Sequence, residues 1–195
     1  MPTRITLLSD GVAWADGGGA FGLVPRTKWV TLLPPDDQNR VPQALWCCLV
    51  EVDGLRVLVD TGAGDKSLDK LASQYALKRD DGTLLERLSR LGLRTDDIDI
   101  VIQTHLHGDH CGWATRRGDD GRIVPTFGRA KYYVQSVEFA DALHPNERTR
   151  NTYFGENFIP LNDSGVLNLL SGETAMRVSP VIRTWPGMAL RAPSV

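Results

Sequence analysis

Residues Thr104-His105-Leu106-His107-Gly108-Asp109-His110 put three of the chain's four histidines within six positions, directly after the apolar run Ile100-Val101-Ile102. Four imidazole and carboxylate groups at steps of two, two and one have no place in a hydrophobic core, where unpaired polar groups are costly. They are the ligand types of borderline divalent ions such as zinc. The spacing also restricts the backbone. A regular helix would set His105 and Asp109 on one face and turn His107 away; a regular strand would set 105, 107 and 109 on one face and 110 on the other. A loop just past a strand end can gather all four, and Gly108 gives such a bend its freedom. The expectation is a sheet that presents a cation site at a strand end. Two ligand pairs would serve neighbouring metals there, His105 with His107 and Asp109 with His110, about 3.5–4 Å apart if they share a hydroxide.

The flanking sequence supplies such a sheet. Residues 4–9 read as a first strand, Gly11 to Gly19 as a turn-rich loop, 20–24 as a short returning strand, and 25–42 as irregular around Pro34-Pro35-Asp36-Asp37. Residues 44–52 and 55–59 flank Asp53-Gly54 and predict a tight hairpin. The second strand runs into Asp60-Thr61-Gly62-Ala63-Gly64-Asp65, a glycine-rich loop bearing carboxylates. Leu84, Leu85, Leu88 and Leu91 are spaced for a helix over 83–91, with Thr83 and Glu86 as a capping box and Gly92 closing it. Further strands are expected at 99–103, 131–135, 166–170 and 176–184, and a helix at 136–143. Alternating strands and helices that begin with a hairpin indicate an α/β class with a mixed sheet.

Length and charge bound the rest. At 195 residues the chain reads as a single domain, 1–195, with a divergent tail at 184–195. A net charge of -2 without like-charge runs makes no case for nucleic acid or an anionic membrane as partner. No apolar stretch approaches the 18 or so residues of a membrane span, and the N-terminus reads as a strand rather than a signal peptide. Three cysteines, with Cys47 and Cys48 on opposite faces of one strand, do not predict a disulfide framework and fit a reducing cytoplasm.

The stretch Thr104 to Gly112 resembles the His-x-His-x-Asp-His signature of the metallo-β-lactamase superfamily. Leu58-Val59-Asp60-Thr61-Gly62 resembles its preceding strand end, and Asp97 to Ile102 the strand leading in. Phe21 to Pro25 and Ala142 to Arg148 are similar to its lactonase-like branch, so the resemblance covers roughly 5–184. It implies an αβ/βα sandwich with metals at one edge of two sheets, and two zinc ions as cofactors. It implies a hydrolase of lactones, esters, thioesters or amides in which a zinc-activated hydroxide attacks the carbonyl. By that resemblance His105 and His107 match ligands of the first metal, and Asp109 and His110 ligands of the second. Asp109 also orients the attacking water and takes its proton. Asp60 matches a carboxylate behind the ligands that steadies them. The expected partner is a small-molecule substrate, and a homo-oligomer is compatible with the sequence.

The match breaks near the end. Where the family has a histidine after Pro-Gly, this chain has Met188 in Trp185-Pro186-Gly187-Met188, and no acidic residue or histidine follows Glu173. Each metal would lack a ligand, and the second half of the sandwich would be incomplete, leaving a sheet face for some other layer to cover. A truncated or frameshifted copy, a fragment, and a shortened relative that recruits another chain all fit, and an inactive member that binds metal weakly or not at all is the alternative to an enzyme. Smaller signals read as structural: Cys111 as a small residue packed under the loop, His144 as a solvated residue, and Trp113, Tyr132, Tyr133 and Tyr153 as packing, although each tyrosine could offer a phenol to a substrate.

Overall fold

The structure, a computed structural model, describes residues 3–67, 76–176 and 182–184. A six-stranded mixed sheet is its centre. Its strands are β1 (Arg4–Asp16), β2 (Arg40–Val52), β3 (Leu55–Val59), β4 (Ile100–Ile102), β7 (Lys131–Gln135) and β8 (Leu167–Leu170), ordered β1-β2-β3-β4-β7-β8. The first three run antiparallel, and from β3 onward neighbours are parallel. Two small hairpins stand beside it, β5 (Thr115–Arg117) with β6 (Ile123–Pro125) and β9 (Thr174–Met176) with β10 (Ile182–Thr184). The helices are α1 (Gly17–Phe21), α2 (Arg26–Trp29), α3 (Leu84–Arg90), α4 (Ser136–Leu143) and α5 (Ile159–Asp163). No helix among the described residues is long and apolar enough to cross a membrane.

The β2–β3 hairpin forms as expected, because Asp53 and Gly54 both take positive φ (47° and 81°), the combination that matches a two-residue turn to strand twist. Helix α3 starts at the expected capping box, Thr83 accepting from Glu86 N–H and Glu86 from Thr83 N–H. The register places Leu8, Cys47, Leu49, Leu58, Val101, Tyr132 and Val134 in one core with residues of α3, α4 and α5. The other face carries Val50, Val57, Val59, Ile100, Ile102 and Tyr133.

Three expectations are corrected. The loop expected over Gly11 to Gly19 is strand as far as Asp16: Gly11, at φ +119°, is absorbed in a bulge between Ser9 and Val12, after which β1 pairs with β2 again. The strand expected at 20–24 is the end of α1 and a turn. Asp16 accepts from Gly19 N–H to start that helix, and Phe21 stacks on Trp29 at 4.9 Å. The strand expected over 176–184 is two paired strands in its described part, Met176 opposite Ile182. The parallel half matters most for function. It brings the carboxyl ends of β3, β4 and β7 to one edge, where open α/β sheets place their ligands.

Candidate metal centre

Asp60 follows β3, the histidine loop follows β4, and Glu138 follows β7 in α4. Asp60 turns at φ +56°, an uncommon conformation for a residue with a side chain, and its N–H donates to Ile102 O at 2.9 Å. The turn aims its buried carboxylate at the loop. Thr104 N–H donates to Oδ1 at 2.8 Å, Thr104 Oγ1 to Oδ2 at 2.7 Å, and His110 Nδ1 lies 2.9 Å from Oδ2. Thr104 Oγ1 also lies 3.0 Å from His105 Nδ1. A carboxylate is the stronger acceptor, so the hydroxyl proton goes to Asp60 and the hydroxyl oxygen accepts from His105 Nδ1–H. His110 Nδ1–H donates to Asp60 in the same way. Both histidines thus keep an Nε2 lone pair available.

Backbone bonds clamp the loop on each side. Thr61 N–H donates to His110 O, Gly112 N–H to Gly62 O, and Gly108 N–H to Thr152 O. His105 touches both other rings, with centroids 4.7 Å from His107 and 4.0 Å from His110. Asp109 Oδ2 lies 3.6 Å from His110 Nε2. The structure therefore brings His105, His107, Asp109, His110 and Asp60 to one edge. Burial, reinforced by the neighbouring His110 and His107, pulls the His105 pKa down to about 4, and burial lowers His107 as well. Burial also opposes charge on His110, but the Asp60 hydrogen bond and the charges of Asp109 and Asp60 outweigh it and raise the pKa. The neutral imidazoles of His105 and His107 beside carboxylates suit a divalent cation such as zinc. As they stand, no three or more His, Cys, Asp or Glu side chains among the described residues form a set that could hold a metal ion. The donor types are those zinc takes. Met188 and the rest of 185–195 lie outside the described residues.

The smaller signals resolve into packing. Cys111 is buried, its thiol pushed up by burial, and Sγ–H donates to Leu106 O. Trp113 Nε1–H donates to the buried carboxylate of Asp10, and Tyr132 O–H donates to Ala114 O. His144 is exposed at the end of α4. Glu138 escaped sequence reasoning, and Tyr153, expected as packing, stands with it beside the histidine loop. Glu138, 3 % exposed, accepts from Leu106 N–H at 2.8 Å and from Tyr153 O–H at 3.1 Å. Tyr153 sets its ring against His107, centroids 4.8 Å apart. The available signal was that Glu138 shares the buried side of α4 with Phe139 and Ala142.

Residues 41–117 match the metallo-beta-lactamase superfamily. The N-acyl homoserine lactonase AiiB of Agrobacterium fabrum is 31% identical over 133 residues, which is 62% of this chain and 44% of that protein. The N-acyl homoserine lactonase AiiA of Bacillus thuringiensis subsp. kurstaki is 28% identical over 125 residues, 60% of this chain and 44% of that protein. The chain thus spans less than half the length of these relatives. A probable metal-dependent hydrolase from Staphylococcus aureus superposes with a TM-score of 0.77 at 26% identity, covering 88% of this chain and 60% of that one. A quorum-quenching N-acyl homoserine lactone lactonase superposes with a TM-score of 0.62 at 23% identity over 91% and 61%, a likeness of fold alone.

Proposed function

We propose that this chain, whose residues 41–117 belong to the metallo-β-lactamase superfamily and whose sheet is shared with that superfamily's hydrolases, is a metal-dependent hydrolase acting on lactones, N-acyl homoserine lactones first. The observation that carries the reading is the gathering of three half-buried imidazoles, His105 against both His107 and His110, with Asp109 beside His110 past the carboxyl end of β4. His105, His107, Asp109 and His110 would hold zinc, with a second ion expected from the superfamily pattern. Bound there, the metal supplies Lewis acidity and a water acidic enough to be a nucleophile at neutral pH. The chain's own groups do the rest. Asp60 fixes His110 through Nδ1 and His105 through Thr104, so both present Nε2. Asp109, whose Oδ2 lies 3.6 Å from His110 Nε2, would orient that water and take its proton, as the superfamily resemblance implies. The substrate class is supported by the lactonase names of the curated relatives. Three free cysteines suit a reducing compartment, and the cytoplasm is the proposed setting.

The test is metal content of the purified chain, followed by turnover of N-hexanoyl homoserine lactone and an aryl-ester panel. Zinc near one per chain or above, with lactone opening abolished by a chelator, is expected. Zinc well below one per chain would defeat the reading.

A second reading is favoured by one observation: among the described residues no three donors form a set that could hold an ion as placed. On that reading the chain is a non-catalytic member that holds a cation weakly or not at all. Zinc well below one per chain with lactone and ester turnover absent would select it.

A further inference from the structure

We infer that Glu138 and Tyr153 are positioning residues for His107, a buried carboxylate and a phenol that hold this imidazole where a cation can use it. The inference rests on the metal-site reading above. Glu138 lies in the first turn of α4, 3 % exposed, and among the described residues no lysine or arginine forms an ion pair with it. Burying a carboxylate is costly, whereas a neutral glutamine could accept the same two hydrogen bonds. A charge kept at that cost has a use if a cation arrives nearby. His107 is the group placed to bring one: its ring meets that of Tyr153, whose hydroxyl donates to Glu138.

The geometry supplies the positioning. One oxygen, Glu138 Oε1, accepts from Leu106 N–H and from Tyr153 O–H. The backbone just before His107 and the phenol beyond its ring are thus tied to a single atom. Tyr153 meets the imidazole edge-on, with an interplanar angle of 70°, and the two residues also pair through a backbone bridge. Room to relax is small: a side chain at Gly108 would meet the Phe154 ring at 2.3 Å. Among the described residues Glu138 reaches the loop through Leu106 N–H and through Tyr153, and it acts through those groups.

The experiment compares the full chain with Glu138→Gln, Glu138→Ala and Tyr153→Phe. Zinc affinity is read by competition with a chromophoric chelator, ligand geometry by the visible spectrum of the cobalt(II) form, and folding by metal-free thermal melts. Glu138→Gln keeps both acceptor contacts and sheds the buried charge, so without metal it should melt at or above the wild type, yet it should lose about tenfold or more in zinc affinity, the usual cost of a lost outer partner. Tyr153→Phe should lose affinity and change the cobalt spectrum, and Glu138→Ala should do both and melt lower. Variants that bind zinc like the wild type with unaltered cobalt spectra would overturn the inference and leave the function standing. A wild type that binds neither metal would sink the metal-site reading. The His107 ring resonances of the metal-free proteins then decide: signals unmoved in Glu138→Gln and Tyr153→Phe would overturn the inference, and shifted signals would sustain it.

Discussion

Asp10 is fully buried, and its carboxylate ties together parts of the chain far apart in sequence. It accepts from Ala63 N–H and Gly64 N–H in the loop after β3, from Leu84 N–H at the start of α3, and from Trp113 Nε1–H after the histidine loop; Arg79 pairs with it at 2.7 Å. Gly62 packs so closely that a side chain there would reach Asp10 at 2.3 Å. Asp10→Asn removes the ion pair and turns an acceptor oxygen into a donor facing other donors. It should cost about 3–5 kcal/mol in denaturant unfolding, as when one partner of a buried pair is lost. A loss under about 1 kcal/mol would show that water substitutes for the carboxylate. Lys66 tests the same region by pH. Burial pulls its ammonium down to about 8 from 10.5, while Nζ donates to Gly112 O and Thr115 O. Between those two values the unfolded chain binds more protons than the native one, so this group's contribution to stability rises with pH and its cost is fully present below about pH 8. The stability of wild type relative to Lys66→Met should therefore climb between pH 8 and 10. A flat difference would place the native pKa near its ordinary value.

Strand β1 shows at the element scale what alternation does. Leu8 faces the core at 5 % exposure, while its neighbour Leu7, on the opposite face, is 62 % exposed. Leu8→Ala should cost about 2–5 kcal/mol and Leu7→Ala under about 0.5 kcal/mol, compared by urea midpoints; equal costs would mean another layer covers Leu7 in solution. The elements legible in the sequence were those with local causes: the Asp53-Gly54 hairpin, the Thr83–Glu86 cap, the apolar run of β4 and the ligand cluster behind it. The extension of β1 past Gly11 was not legible, because a glycine signals a turn unless distant pairing absorbs it as a bulge, and that pairing begins again at Ala44. Glu138 was hidden for a related reason: an acidic residue in a short helix reads as a solvated face until the loop after β4 and the Tyr153 segment close over it. Gly112 belonged to the motif, but its purpose appears only in three dimensions. A Cβ there would sit 1.9 Å from the Ala63 carbonyl carbon, so the loop after β3 and the histidine loop can lie together only without it.

Across the whole molecule the sheet divides into an antiparallel half that builds a wall and a parallel half that carries the site. The wall's second face leaves Ile5, Leu7 and Trp46 more than half exposed, whereas Val57 in the same face is fully buried. The site joins the two loops at the strand ends, since Asp60 holds His110 from β3 while Thr104, also bound to Asp60, continues β4. A cation gripped by the histidine loop would therefore couple β3 to β4, and an unfolded chain cannot reproduce that placement. Binding to the native state alone stabilises by mass action, about 2.7 kcal/mol when free zinc is a hundredfold above its dissociation constant. Excess zinc should raise a single cooperative melting transition, and a chelator should return it to the starting temperature. His110→Ala should abolish the rise, because it removes a donor and also the group Asp60 positions. Leu7→Ala, remote from the loop, should leave it intact. A rise that survives His110→Ala would place the zinc elsewhere on the chain, and no rise in the wild type would mean that the gathered imidazoles hold no ion in the folded state.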